Sequence, residues 1–160
     1  MGRPGCANPV DAYVGLGSNL GDSIGQLRAA LDELRRLPLS RLVRHSGFYR
    51  TAPVDAGGPD FVNAVALLET GLAAPDLLRH LQSVEQKAGR VRPYPNAPRT
   101  LDLDLLVYGS ATIQSPSLTV PHPRMNARAF VLVPMAEIAP DRVAPDALLA
   151  VEAQTIQRLL

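Results

Sequence analysis

Residues 101–105 read Leu-Asp-Leu-Asp-Leu, and this alternation constrains the fold of the chain more than any other feature. A β-strand sends alternate side chains to opposite faces, so Asp102 and Asp104 would share one face while the leucines enter a core. Two carboxylates roughly 7 Å apart along a strand can bind divalent cations such as Mg²⁺, which usually accompany phosphate chemistry. A half-exposed edge strand shows the same alternation, although Asp is disfavoured in strands and like charges on one face repel. The pattern alone leaves both interpretations open.

The spacing of apolar residues along the chain predicts a βαββαβ order of elements. The elements are a strand over 11–16, a helix with the stripe Ile24, Leu27, Leu31 and Leu34, strands over 42–50 and 61–69, a helix with the stripe Leu77, Leu78, Leu81, Val84 and Ala88, and the acidic strand. This is the ferredoxin-like order, which predicts an α+β fold with a mainly antiparallel sheet and both long helices on one face.

The ends of the elements carry further signals. Asp22 or Ser23 can cap the first helix, because a short polar side chain accepts a hydrogen bond from a free N–H of the first turn. A C-terminal extension follows the acidic strand. In it the sequence predicts a short helical stretch over 127–132 that precedes Pro134, and a last amphipathic helix over 146–160.

The composition is that of a globular protein without a strong overall charge. With 160 residues, 46% of them hydrophobic, we expect one domain over 1–160 with a disordered tail over 1–9. The net charge of +1 provides no basic field for nucleic acid or a membrane surface. The single cysteine, Cys6, excludes an intramolecular disulfide, and no apolar stretch resembles a signal peptide or a membrane span. We therefore expect a cytoplasmic protein with neither nucleic acid nor membrane as partner.

Two common ways of binding phosphate are not supported. The chain has fifteen arginines and one lysine, Lys87, and that lysine follows no glycine-rich loop, which excludes a Walker-type phosphate loop. The glycines at 15, 17 and 21 do not have the spacing of a dinucleotide-binding loop. A nucleoside triphosphate would therefore have to be bound by arginines and metal ions.

Several separated segments together resemble one family. They are Gly17-Ser18-Asn19-Leu20, Phe48-Tyr49-Arg50-Thr51, Asn63-Ala64, Gly89-Arg90-Val91-Arg92, Pro98-Arg99-Thr100-Leu101-Asp102-Leu103-Asp104 and Val120-Pro121-His122. In this order the segments resemble the 6-hydroxymethyl-7,8-dihydropterin pyrophosphokinases of folate biosynthesis, over roughly residues 11–145. The resemblance implies transfer of a diphosphate from ATP to the hydroxymethyl group of the pterin, with release of AMP. We also expect a monomer.

The resemblance also assigns the catalytic residues. Asp102 and Asp104 match the aspartates that hold two Mg²⁺ ions on the triphosphate, where the metal neutralises phosphate charge. Arg90 and Arg99 match arginines of a catalytic loop, in which a guanidinium can contact two phosphate oxygens at once. The segment 91–100 would form a lid over ATP.

The family also implies two sets of binding residues. The ATP-binding positions are Gln82, Glu85, Arg92, Leu105, Thr119, His122 and Arg128. The pterin-binding positions are Phe61 and Phe130 on either side of the ring, Asn63 at its edge, and the main chain near Thr51, Ala52 and Val54. By spacing alone, Gln82 and Glu85 would lie on an ordinary solvated helix face.

The chain departs from the family at three positions. Asn96 stands where some members have a lid tryptophan, in a lid that is one residue shorter. Phe61 replaces a tyrosine of some members, which keeps the stacking and loses a hydroxyl. Ser117 stands where an arginine contacts ATP.

Three alternative functions have weaker support. A non-catalytic ferredoxin-like module that binds a small molecule would have no reason to combine Arg90, Arg99, Asp102 and Asp104. An RNA-binding module of this fold needs exposed aromatic residues on its central strands, and only 4% of the residues are aromatic. A Rossmann-type oxidoreductase conflicts with the βαββ order and with the glycine spacing.

Overall fold

The computed structural model describes residues 8–53, 59–89 and 101–160 and contains one large β-sheet with helices on both faces. Its strands are β1 (Val10–Ser18), β2 (Ser40–His45), β3 (Tyr49–Thr51), β4 (Phe61–Thr70), β5 (Asp102–Tyr108), β6 (Ile113–Gln114), β7 (Thr119–Val120) and β8 (Ile156–Arg158). Its helices are α1 (Ser23–Arg35), α2 (Ala74–Lys87), α3 (Ala129–Ile138) and α4 (Pro145–Ala150), with 3₁₀ turns at Met125–Ala127 and Pro140–Arg142.

The large sheet has six strands in the order β5-β1-β4-β3-β8, and β2 also pairs with β4. The strand pairs in this sheet are antiparallel. The strands β2 and β3 lie one after the other along the same edge of β4. Together they take the place of the second strand of the ferredoxin-like order, so the predicted α+β fold and its antiparallel sheet are confirmed.

The helices α1 and α2 lie on one face of the sheet, as predicted. Leu27, Leu31 and Leu34 of α1 and Leu77 and Leu81 of α2 are buried in the same apolar cluster. The residues of the large sheet in this cluster are Ala12, Val14, Leu16, Val62, Ala64, Ala66, Leu68, Leu103 and Leu105, and Leu101 joins them directly before β5. Alternation along the strands thus builds one continuous core beneath both helices.

Local capping fixes the start of α1. The Oδ1 atom of Asp22 accepts a hydrogen bond from the Gly25 backbone N–H at 3.0 Å, so Asp22, and not Ser23, is the cap. Pro75 lies in the first turn of α2, where its missing N–H costs no hydrogen bond. Gly89, which follows the C-cap residue Ala88 of α2, has a φ of +78°, a backbone conformation that glycine adopts without strain.

The opposite face of the sheet is covered by α3. Tyr13, Val65 and Leu67 of the central strands form a second buried cluster with Leu132 and Met135 of α3. Within the ranges that the structure describes, no helix is both long and apolar enough to cross a membrane.

The strand predicted over 42–50 is interrupted at Ser46. The Ser46 backbone N–H donates to the Val65 carbonyl at 2.8 Å, while the Ser46 hydroxyl accepts a hydrogen bond from the Val65 N–H at 3.0 Å. At Gly47 the N–H bonds to the Glu137 carboxylate of α3. The chain therefore leaves the ladder for three residues because a side-chain oxygen and a helix carboxylate replace its backbone partners.

The helix predicted to precede Pro134 is longer than expected. The helix α3 continues through Pro134 to Ile138, although proline provides no N–H for the helical ladder. Val131, Leu132 and Met135 are buried in the second cluster. We attribute the continuation to this packing, which offsets the missing hydrogen bond.

The helix predicted over 146–160 is wrong. The helix α4 ends at Ala150, and residues 156–158 form β8, which pairs with β3. The side chain of Gln154 accepts from the Ala129 N–H and donates to the Ala127 carbonyl, both at 2.9 Å. The chain turns here because the edge of β3 and the start of α3 supply hydrogen-bonding partners that local spacing does not reveal.

Candidate active site

Asp102 and Asp104 lie on β5 and point away from α1 and α2. Both side chains are half-buried, whereas Leu101, Leu103 and Leu105 between and beside them are at most 5% exposed. The leucines belong to the core beneath the two helices. The alternation of the sequence therefore separates a core face from an acidic face within a single strand.

The strand register brings these aspartates next to a second polar group. Asp102 pairs with Gly17 of β1, and Gly17 pairs with Asn63 of β4. Neighbouring strands lie about 4.8 Å apart, so Asp102 and Asn63 are separated by about twice that distance, with a glycine between them. We call the line Asp102, Gly17, Asn63 the polar row.

Asn63 is buried in the sheet with one side of its amide directed towards Gly17. The residue is 4% exposed, and its Nδ2 donates to the Thr51 hydroxyl at 2.7 Å. A Cβ atom built on Gly17 would lie 3.1 Å from Asn63 Oδ1 and 3.8 Å from a ring carbon of Phe61. Within the described residues, Oδ1 accepts no hydrogen bond. A buried carbonyl oxygen of this kind is suited to a ligand that donates a hydrogen bond.

Glu85 supports the acidic strand from behind. This carboxylate on α2 is only 2% exposed, and its Oε2 accepts a hydrogen bond from the Leu103 backbone N–H at 2.7 Å. Leu103 lies between the two aspartates, on a strand at the edge of the sheet. Glu85 thus supplies the hydrogen-bond acceptor that a neighbouring strand would otherwise provide. The prediction from spacing alone, that Glu85 lies on a solvated helix face, is wrong.

His122 follows β5 in the chain and forms a hydrogen bond with it. Its backbone N–H donates to the Leu106 carbonyl at 2.8 Å, and its Nδ1 accepts from the Arg124 N–H at 3.2 Å. Partial burial, followed by the charges of Arg128 and Arg124, lowers the pKa of His122, while Asp102 acts in the opposite direction. A neutral imidazole is therefore favoured beside the acidic strand.

Arg128 and Phe130 form a pair at the start of α3. The Arg128 guanidinium carbon lies 5.2 Å from the centroid of the half-buried Phe130 ring, within the range of a cation–π contact. Arg128 is also close enough to His122 to influence its pKa. The helix α3 packs on the face of the sheet that carries the polar row, so Arg128 and Phe130 belong to that side of the molecule.

A second network ties β3 to α3 and β8. The Tyr49 hydroxyl donates to Glu137 Oε1 at 2.5 Å, and Arg158 lies 3.5 Å from the same carboxylate. Burial and the bond to Glu137 raise the pKa of Tyr49 to about 12. Tyr49 pairs with Asn63, so this network anchors the strand beside the polar row.

The remaining proposed site residues are dispersed around this centre. Gln82 is exposed on α2, Leu105 is buried in the core, Thr119 is half-buried on β7, and Ala52 is exposed just after β3. Val54, Arg90 and the whole 91–100 segment, with Arg92, Asn96 and Arg99, lie outside the described residues. Ser117 is described and exposed.

The sequence interpretation missed the role of glycine in β1. The strand predicted over 11–16 ends too early, because β1 continues to Ser18 and therefore includes Gly17. Glycine inside a strand often marks a close approach of a ligand or another group. That signal, combined with the strand register, could have identified Gly17.

The two carboxylates of the acidic strand suit a hard cation whose other ligands come from water and substrate. The acidic strand offers two carboxylates, those of Asp102 and Asp104. In the described part of the chain, no group of three His, Cys, Asp or Glu side chains is close enough together to hold a metal ion. Mg²⁺ is commonly bound by one or two carboxylates, with water and substrate phosphates completing its shell. The residues present therefore fit Mg²⁺ with a phosphate-bearing ligand.

Comparison with solved structures supports the fold. A crystal structure described as HPPK-DHPS in complex with substrates matches with a TM-score of 0.68 over 84% of this chain, at 12% identity. Plasmodium falciparum HPPK-DHPS matches with a TM-score of 0.64 over 82% of this chain, also at 12% identity. The present chain spans 40% and 41% of the lengths of those two proteins.

Comparison of sequences identifies the family. The 2-amino-4-hydroxy-6-hydroxymethyldihydropteridine pyrophosphokinase of Pseudomonas aeruginosa is 52% identical over 84% of this chain and 83% of its own length. The enzyme of the same name from Haemophilus influenzae is 46% identical, over 89% and 90% respectively. A sequence model for 7,8-dihydro-6-hydroxymethylpterin-pyrophosphokinase (HPPK) matches residues 13–140. The chain therefore belongs to the 7,8-dihydro-6-hydroxymethylpterin-pyrophosphokinase family.

Proposed function

We propose that the polar row is where this chain performs its family's reaction, the transfer of diphosphate from ATP to 6-hydroxymethyl-7,8-dihydropterin in folate biosynthesis. The observation that carries the proposal is the register Asp102, Gly17, Asn63. It places a pair of carboxylates suited to a metal-bound phosphate about two strand spacings from a buried amide suited to a heterocycle edge.

Asp102 and Asp104 would hold two Mg²⁺ ions, and the metal would supply neutralisation of the triphosphate charge. The aspartates fix the height of the phosphates above the sheet because both side chains leave the same face of a rigid strand. Glu85 keeps that strand in place through the Leu103 N–H. We propose that Glu85 acts on ATP through this strand, since its carboxylate is buried beneath it.

Other charged residues would bind the nucleotide. His122 is close enough to Arg128 and to Asp102 for both charges to act on its pKa. We propose that His122 and Arg128 contact ATP, and that the positions Gln82, Leu105 and Thr119 border the nucleotide. Arg90, Arg92 and Arg99 complete the proposal as the arginines that meet the phosphates, with 91–100 as a lid. A guanidinium stabilises charge that accumulates on two phosphate oxygens.

The pterin would occupy the other end of the row. Phe61 and Phe130 would cover its two faces, and Asn63 would satisfy its edge through the side of the amide that Thr51 does not use. The main chain at Thr51, Ala52 and Val54 would supply the remaining contacts. In this arrangement the hydroxymethyl group faces Asp102 across Gly17.

The reaction then exchanges one phosphorus–oxygen bond for another. The hydroxymethyl oxygen attacks the β-phosphorus of ATP, and the bond from that phosphorus to the oxygen bridging it to the α-phosphorus breaks. AMP leaves with the bridging oxygen, and the hydroxyl proton passes to solvent. The protein contributes position and charge neutralisation, which account for most of the catalysis of phosphoryl transfer.

We further propose that residues 1–160 act as one domain, as a monomer in the cytoplasm, without nucleic acid or membrane as partner.

A product assay tests the reaction itself. ATP, Mg²⁺ and 6-hydroxymethyl-7,8-dihydropterin are incubated with the protein, and the nucleotides are separated by chromatography. We expect AMP that depends on the pterin and on Mg²⁺. Formation of ADP in place of AMP, or of AMP without pterin, would overturn the proposal and would favour a different enzyme that uses ATP. The absence of any nucleotide product would overturn it in favour of a non-catalytic binding module.

A further inference from the structure

Gly17 occupies the centre of the polar row, although its backbone conformation does not require glycine. The glycines with positive φ among the described residues are Gly21, Gly89 and Gly109, so the backbone at Gly17 is one that alanine also adopts. An alanine there would nevertheless meet Asn63 Oδ1 at 3.1 Å, a contact tighter than ordinary van der Waals distance. What glycine provides at this position is therefore space.

The space is bounded on both sides by proposed site residues. Asp102 flanks Gly17 on β5 and Asn63 flanks it on β4. Asn63 cannot easily move away, because the residue is only 4% exposed and its Nδ2 donates a hydrogen bond to the Thr51 hydroxyl at 2.7 Å. Phe61 limits the same space, with a ring carbon 3.8 Å from the position of the missing Cβ atom.

Gly15 offers a matched contrast two residues earlier on the same face of β1. It pairs with Asp104 as Gly17 pairs with Asp102. A Cβ atom at Gly15 would lie 3.5–3.7 Å from atoms of the Leu106 side chain, which is ordinary contact. The position beside Asp104 is thus already lined by an apolar side chain, whereas the position beside Asp102 faces Asn63 Oδ1.

We propose that Gly17 is a specificity-determining residue that keeps open the gap between the metal-binding and pterin-binding ends of the polar row. The gap lets the heterocycle edge reach Asn63 Oδ1 and seats the hydroxymethyl group opposite the β-phosphorus. A side chain at this position would raise the pterin away from Asn63 while leaving the nucleotide side unchanged. This inference rests on the proposed function and names the residue that sets substrate position within it.

The test compares Gly17→Ala with Gly15→Ala. Initial rates give kcat and KM for each substrate, and calorimetry gives the affinity for α,β-methylene-ATP with Mg²⁺ and then for the pterin. A displacement of about 1 Å in a reacting group costs on the order of 100-fold. We therefore expect kcat/KM for the pterin to fall by about 10- to 100-fold in Gly17→Ala, with weaker pterin affinity. The affinity for the ATP analogue should be unchanged, and Gly15→Ala should resemble the wild type.

A double-mutant cycle separates this role from a structural one. Asn63→Ala removes the oxygen that the new Cβ atom would meet, so Gly17→Ala should cost little more in an Asn63→Ala background. Equal losses from Gly17→Ala in both backgrounds, unchanged pterin binding, or an equal loss of ATP-analogue affinity would overturn the inference. An inactive wild-type protein that does not bind pterin would overturn the proposed function as well, whereas an active wild type with an unaffected Gly17→Ala variant would overturn this inference alone.

Discussion

The two faces of the central sheet are built from the same strands, but they differ in the polar residues that they carry. The face beneath α1 and α2 is continuous apolar core, to which Leu16, Val62 and Leu103 contribute. The opposite face carries a second apolar cluster with α3 and, beside it, the polar row. If the proposed function is correct, adjacent residues of one strand serve stability and chemistry separately, and substitutions at neighbouring positions should have different consequences.

The largest effect should follow from removing a carboxylate on the polar face. Asp104→Ala should lower kcat by about a thousandfold or more, because metal stabilisation of phosphate charge is worth several kcal/mol and about 1.4 kcal/mol corresponds to tenfold. Its thermal midpoint should stay near or above that of the wild type, since a like charge beside Asp102 is removed. Steady-state kinetics and thermal unfolding measure the two quantities.

Asp11→Ala is the matched control, because Asp11 is exposed at the far end of β1. It should retain wild-type activity. A large loss of stability in Asp104→Ala with activity retained would show that the aspartate is structural, and the contrast between the faces would fail.

The opposite pattern should follow one residue earlier on the core face. Leu103→Ala should lower the free energy of unfolding by about 2–5 kcal/mol, the usual cost of truncating a buried leucine. The folded fraction should retain far more activity than Asp104→Ala. Urea unfolding combined with activity per folded molecule tests this, and an unchanged stability would contradict the assignment of Leu103 to the core.

A smaller effect should arise where the two faces are linked, at Glu85. Glu85→Ala leaves the Leu103 N–H without its acceptor, which should cost about 1–3 kcal/mol of stability. Glu85→Gln keeps an oxygen at that position and should lose less. Hydrogen exchange at the Leu103 amide distinguishes the two variants: we expect fast exchange only in Glu85→Ala, and equal exchange in both would argue against the bond.

The smallest effect concerns the titration of His122. Its folded-state pKa lies below the ordinary 6.5, so the unfolded chain binds more protons in the interval between the two values. The contribution of His122 to stability is therefore present above about pH 6.5 and is lost as the pH falls through the folded pKa. Arg128→Gln removes a positive charge and should raise the pKa of His122, as measured by NMR. A pKa that stays the same or falls would contradict the arrangement.

The features that sequence could predict are those with local causes. Alternation assigned Leu103 and Asp104 to opposite faces, and the apolar stripes located α1 and α2, because period and burial are both readable within one element. The cap at Asp22 likewise depends on a residue only three positions away. The sequence could likewise predict that Asp102 and Asp104 share one face of a strand, because that pattern is local.

The features that sequence could not predict depend on distant partners. The strand β8 forms because β3 presents an edge to it, and nothing within 146–160 reveals that edge. Glu85 has the spacing of a solvated residue, yet its partner Leu103 lies 18 positions further on. The meaning of Gly17 emerged only once the register placed it between Asp102 and Asn63.

The central claim, that the polar face of β5 binds metal for phosphate chemistry, is tested most directly by counting bound ions. Mn²⁺ in place of Mg²⁺ can be titrated by electron paramagnetic resonance in the presence of α,β-methylene-ATP. We predict binding to a two-metal site in the wild type. Asp102→Asn and Asp104→Asn should each weaken it by more than about tenfold, since even indirect partners of a metal cost that much. Wild-type stoichiometry and affinity in both variants would contradict the account.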